Sequence, residues 1–148
     1  MVEGQKFLHD VVRRNILRSA KKMPEGQFAF RPAPEVHSFG QLPGHIADAQ
    51  YLFCPAVLGK PSPEPGIEET RTSKAGLLQA LNEPFAYCDA AFAGLTDDGL
   101  AGTAQFLGRE QAKATVLSFN TAPENEHQDN IVTCLRMKGV VPPSSERR

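Results

Sequence analysis

Apolar residues recur along most of this chain at steps of three and four, the period of a helix with one buried face. Phe7, Val11, Val12 and Ile16 set the pattern first and predict a helix from about Gly4 to Lys22. Lys21 and Lys22 suit the negative end of its dipole, and Pro24 and Gly26 stop it. Residues 27–37 read as an extended connection, because Pro32 and Pro34 push the residues before them out of helical geometry. Ser38 with Gln41 has the spacing of a capping box. A second helix then carries Leu42, Ile46, Ala49 and Phe53 to an end near Gly59.

The segment GKPSPEPGIEET is a loop by composition. A third helix starts after Thr72 or Ser73 and shows Leu77, Leu81, Phe85, Cys88 and Phe92 on one face, with a kink expected at Pro84. Asp97, Asp98 and Gly99 mark a turn, and the stretch to Leu107 is weakly patterned. A last helical region is predicted from Arg109 to Lys138, interrupted at Pro123 and restarting at Ala122 under a capping box of Thr121 and Glu124. Ile131, Leu135 and Lys138 continue one face, Gly139 is a C′ residue and Pro142 lies beyond. The tail PPSSERR is expected to fray. No internal repeat occurs, and no strand pattern runs beyond a few residues.

These elements predict an all-α fold, a four-helix bundle with a long connection between helices 2 and 3, as one domain over residues 1–148. Phe7, Val11, Ile16, Ile46, Phe53, Leu77, Leu81, Phe85, Ile131 and Leu135 form the expected core. A chain of 148 residues can build such a core without disulfides or metal.

The net charge of −1 argues against nucleic acid as a partner. No apolar run reaches the ~18 residues of a membrane span, so no membrane partner is expected. No unbroken apolar stretch near the N-terminus suggests a secretory signal. A cytoplasmic protein follows. Cys54, Cys88 and Cys134 form no CxxC pair, which excludes a zinc knuckle and a thioredoxin motif. Three buried thiols are the expectation, a reactive thiol the alternative.

Chemistry centres on the histidines. His45 lies three residues after Leu42 and four before Ala49, so it points into the bundle or its rim. His127 stands four before Ile131 on a largely apolar face. Two inward imidazoles on different helices could share zinc, nickel, copper or iron; the other reading is two hydrogen-bonded core residues. His9 and His37 read as surface residues. Glu124, Glu126 and Asp129 suit a solvated helix N-terminus, but Glu124 shares a face with His127 and could be a third ligand. No GxGxxG, P-loop or GxSxG pattern is present.

The segments SFGQLPGHIADAQYLFC (38–54) and EHQDNIVTCLRMKGVVPPSS (126–145) resemble the DinB-like family of bacterial four-helix proteins. The resemblance assigns His45 to the metal-binding histidine of the second helix. It assigns His127 to the second histidine of the pair in the last helix, with Asn130, Ile131, Val132, Leu135, Arg136, Gly139, Pro142 and Pro143 matching that helix. Three positions depart: Pro123 stands where the first histidine of the pair falls, Asp129 replaces a glycine and Cys134 a tyrosine. The resemblance therefore implies a degenerate site of two histidines, with Glu124 the nearest substitute and zinc or nickel held weakly or not at all. The cleft would then bind a small-molecule ligand or a partner. The alternative it implies is a metal-dependent enzyme of the thiol S-transferase, thiol-dependent isomerase or hydrolase type. It further implies a homodimer. His45 and His127 are expected to face one another across the cleft.

Overall fold

The chain folds as a helical bundle whose four members are α1 (Val2–Lys22), α2 (Gln41–Leu58), a broken third helix and a long last one. The computed structural model describes residues 1–63 and 66–146. Glu64 and Pro65 of the predicted loop, and Arg147 and Arg148 of the predicted tail, lie outside the described residues.

α1 forms where predicted, but it is rotated. His9, Val12, Ile16, Ser19 and Ala20 face inward, whereas Phe7 is 64% exposed and Val11 half-buried. The other eight predicted core residues are buried. The inward stripe of α1 contains a histidine in place of Phe7, and an apolar count alone cannot phase such a helix. Ahead of α2, Ser38 and Gln41 exchange the two bonds of the capping box, Ser38 N–H to Gln41 Oε1 at 2.9 Å and Gln41 N–H to Ser38 Oγ at 3.3 Å. Gly59 ends α2 in the left-handed region with φ 66°.

The connection after α2 contains a single-turn helix, α3 (Ile67–Thr70), where composition suggested only loop. Ser73 caps α4 (Lys74–Ala80) by accepting from the Gly76 N–H at 3.1 Å. The third helix then stops at Leu81 and restarts as α5 (Asn82–Ala93). Pro84 thus falls in a first turn, where its missing N–H is harmless, and the expected kink becomes a break. A short helix α6 (Asp97–Ala101) leads to a hairpin, β1 (Thr103–Phe106) against β2 (Arg109–Ala112), in register Thr103 with Ala112 and Phe106 with Arg109. Its turn residues Leu107 and Gly108 both have positive φ, 48° and 74°, the requirement of a two-residue hairpin turn. The last helix, α7 (Lys113–Met137), therefore starts four residues later than predicted.

α7 also runs unbroken through Pro123, so the predicted interruption does not occur. The Thr121 hydroxyl donates to the Leu117 carbonyl at 3.2 Å and caps nothing. Packing explains the tolerance: Val116, Leu117, Asn120, Thr121 and Glu124 are buried before and around the proline, and Ile131, Cys134 and Leu135 after it. Burial on both sides offsets the roughly 3 kcal/mol a mid-helix proline costs.

Side-chain contacts fix the topology. α1 and α7 run the same way, Gln5 meeting Ser118 and Lys22 meeting the Val141 carbonyl. α2 runs opposite to α7, His45 meeting His127 and Gln50 meeting Asn120. α5 runs with α2, Tyr51 facing Tyr87 and Cys54 facing Cys88. Two adjacent helices running the same way need a connection as long as the bundle, which is the physical role of residues 59–73.

Cys54 and Cys88 are joined in a disulfide between α2 and α5, with Cα atoms 5.3 Å apart, inside the range a disulfide needs. Only Cys134 keeps the free, buried thiol expected of all three. The tail is not frayed as far as Glu146: Pro143 is buried, and Glu146 pairs with Arg18 and Lys22 at the end of α1. Among the described residues, no helix is long and apolar enough to cross a membrane.

Candidate metal centre and adjoining cavity

His45 is placed by α2 and His127 by α7. Because the helices are antiparallel neighbours, the two rings meet edge-on with centroids 4.9 Å apart. The expected facing of these histidines is thus present. His37, in the connection before α2, brings a third ring to 5.2 Å from His45.

The residue that organises these rings is Glu68 of α3. One of its oxygens, Oε2, lies 2.9 Å from His45 Nδ1, and the other, Oε1, lies 3.0 Å from His37 Nε2. A carboxylate only accepts, so any proton in these two gaps is carried by an imidazole, and an ion held by the three residues would take the place of those protons. The donor atoms of His37, His45 and Glu68 all lie within 4.8 Å of one another.

α3 is held in place by α2 itself. The Asp48 carboxylate accepts from the backbone N–H groups of Ile67 and Glu68 at 2.8 and 2.9 Å, capping the short helix from outside its own chain segment. Gly44 makes room: a Cβ there would stand 2.6 Å from the Glu68 Cα. Gly44, His45 and Asp48 thus fix where Glu68 docks and what its carboxylate meets.

The burial of His127 pushes its pKa down, and the neighbouring His45 adds to the depression. Its Nδ1 is buried without a hydrogen-bond partner among the described residues. A neutral imidazole with an unengaged nitrogen beside a ligand cluster is suited to bind a metal or a substrate group.

Glu124, the substitute ligand suggested by spacing, sits elsewhere. It is 1% exposed. Its Oε1 accepts from Gln50 Nε2, and its Oε2 is 3.5 Å from His9 Nδ1. His9 is not a surface residue: it is fully buried, with the rings of Phe85 and Phe92 tilted against it at 5.8 and 5.3 Å. Because α7 does not restart near Pro123, Glu124 lies in mid-helix and not at a solvated N-terminus.

A cavity of about 340 Å³ opens between α2 and α7. Its walls include His45, His127, Leu52, Phe53, Pro123 and Glu124. His127 also borders a second pocket of about 450 Å³, with His37 and Cys134. Sequence reasoning missed Glu68 and the part His37 plays. The legible signal was the Gly44–His45–Asp48 group, a small residue, an imidazole and a carboxylate on one stretch of α2.

The donor set suits a metal on its own chemistry. Two imidazoles and a carboxylate are ligands that zinc accepts in catalytic sites, with a position left open. A family model described as the DinB superfamily matches residues 8–129. A DinB-like protein from Bacillus cereus ATCC 10987 superposes with a TM-score of 0.82 at 18% identity, over 95% of each chain. A DinB-like protein from Bacillus subtilis superposes with a TM-score of 0.71 at 21% identity, over 92% of this chain and 93% of its own. No curated protein matches the chain.

Proposed function

Since this chain belongs to the DinB superfamily, we propose that it is a metal-binding bundle in which His37, His45 and Glu68 hold a divalent ion and the cavity beside His45 and His127 receives a small molecule. The observation that carries the reading is the Glu68 carboxylate between two imidazoles, 2.9 and 3.0 Å away. The family resemblance points to a site on α2 and α7 from which Pro123 removes one ligand. Here a loop histidine and a carboxylate on α3 supply the donors that α7 lacks, and His127 stands beside them. Glu124 stays with Gln50 and His9 and is not among the proposed ligands.

A bound ion would act as a Lewis acid and lower the pKa of a coordinated water or thiol. The chain's own residues do the rest. Asp48 fixes α3, Glu68 orients the rings of His37 and His45, and Leu52, Phe53 and Pro123 keep the adjoining cavity apolar. The second reading, a metal-dependent transferase, isomerase or hydrolase, is favoured by one observation: the cavity is walled by His45 and His127. We also propose the cytoplasm as its location and a homodimer as its assembly, the latter checked by light scattering.

Isothermal titration of zinc and nickel into chelator-treated protein tests the reading. One equivalent is expected to bind, and His37→Ala, His45→Ala and Glu68→Ala are each expected to lower the affinity at least tenfold. Wild-type protein that takes up no metal, or three variants that bind as wild type does, would overturn it.

A further inference from the structure

The hairpin carries a residue that its own turn does not explain. Leu107 sits at the tip with φ 48°, in the left-handed region where a bulky side chain is uncommon. Asn or Asp before Gly108 would hold the same turn at less strain. Leu107 gains no burial in return, being 73% exposed. On α7, Phe119 is likewise 58% exposed. Strain that packing does not repay points to a functional position, and large apolar side chains exposed together mark a binding surface. These two line one groove of about 350 Å³ between the hairpin and α7, with the buried Phe106 and Val116 also in its lining.

The hairpin also brings a cation to this groove. Residues paired across an antiparallel hairpin present their side chains to the same face, and Phe106 pairs with Arg109. Phe106 turns toward the core, its ring 5.0 Å from that of Phe53. Arg109, and Gln111 two residues on, therefore project from that inward face, and both line the groove. Glu110 belongs to the opposite face, where it accepts from the Thr103 hydroxyl. The Arg109 side chain has no hydrogen bond or ion pair among the described residues, and no acidic residue lines the groove.

Charge and shape select the ligand. A guanidinium offers its donors in a planar fork that fits a carboxylate through two parallel bonds. Size limits the body: an apolar cavity of about 150 Å³ already holds benzene, so this groove accommodates a single ring with a short arm. Together these features describe a carboxylate on a small apolar body.

We propose that the groove between the β1–β2 hairpin and α7 is a binding site for a small organic carboxylate, whose charged group pairs with Arg109 and whose apolar body lies against Leu107 and Phe119. The groove shares no residue with the proposed metal ligands or with the cavity between α2 and α7. It is therefore tested in metal-free protein, where the metal reading plays no part.

Three probes of matched shape, phenylacetate, phenethyl alcohol and phenethylamine, are titrated by ligand-observed NMR into protein kept in chelator. Phenylacetate is expected to bind about tenfold more tightly than the alcohol, the margin of one charge-assisted pair, and the amine not to bind. Arg109→Gln is expected to abolish the carboxylate's advantage, its fold checked by circular dichroism. Leu107→Asn keeps Arg109 and suits the turn, so it is expected to raise the urea midpoint while weakening phenylacetate and the alcohol alike. Equal binding of phenylacetate and phenethylamine, or phenylacetate binding unchanged in either variant, would overturn the proposal. So would a wild type that binds no probe, the result expected if a second copy of the chain covers the groove.

Discussion

Gly44→Ala is the sharpest perturbation of the metal centre, because it alters no ligand. Its new Cβ would stand 2.6 Å from the Glu68 Cα and 3.0 Å from the Glu68 nitrogen. Carbon atoms pack at about 3.5–4.0 Å, so α3 has to retreat by roughly 1 Å. Ligand distances at a metal tolerate only about 0.2 Å. The Glu68 carboxylate then leaves His45 and His37, now 2.9 and 3.0 Å away, and metal affinity should fall about 10–100-fold, as it does when an outer-shell support is lost. Stability should change far less. Alanine gains about 1 kcal/mol of helix propensity over glycine, while overpacking costs about 1–3 kcal/mol, so the net loss is at most about 2 kcal/mol. Zinc competition against a chromophoric chelator reads the first quantity, and urea unfolding of the metal-free protein reads the second. A variant that binds zinc within twofold of wild type would refute the claim that the approach of α3 to α2 positions the site.

Pro123 faces the same cavity as His45 and His127, so Pro123→His should raise zinc or nickel affinity at least tenfold in calorimetry. It should also stabilise α7 by at most about 3 kcal/mol, since it returns a helical N–H. His127 has a folded pKa below its ordinary value, through burial and then His45. The unfolded chain therefore binds more protons as pH falls through 6.5, and stability contributed by the neutral ring above that pH is lost below it. Urea midpoints of metal-free protein should drop between pH 7.5 and pH 5, and less steeply in His127→Gln; equal slopes would count against the assignment. Burial also pushes the Cys134 thiol up. Iodoacetamide at pH 8 should leave the native protein unmodified and should label one cysteine in denaturant, and three after reduction, as counted by mass spectrometry.

The helical period carried most of the fold, because α2, the third helix and the end of α7 bury ordinary apolar stripes such as Ile46–Phe53 and Ile131–Leu135. It failed where a polar residue occupies the inward stripe. His9 and Glu124 each looked like surface residues, and each lies in the core because the other is there with Gln50 and Asn120. A pairing across three helices leaves no trace in local periodicity. Pro123 failed for a related reason. Its intrinsic cost is legible from the chain, but the burial on either side that offsets it is tertiary. The hairpin was hidden by its turn: Leu107 at positive φ replaces the usual Asn or Asp before Gly108.

The metal centre divides along the same line. His45 and His127 were legible because each sits at a helical spacing from apolar neighbours, and antiparallel packing of α2 on α7 then brings their rings to 4.9 Å. Glu68 was not legible, since it comes from a segment that reads as loop and becomes helical only when Asp48 caps it and Gly44 admits it. The consequence reaches beyond this chain's own residues. A bundle with no histidine at a helix position such as Pro123 can still gather donors, because connections packed against the helix bring in side chains, here His37 and Glu68, that helix periodicity never marks. Counting histidines on helices therefore gives a lower bound on the donors near His45, and Glu68 together with His37 is the margin by which it falls short here.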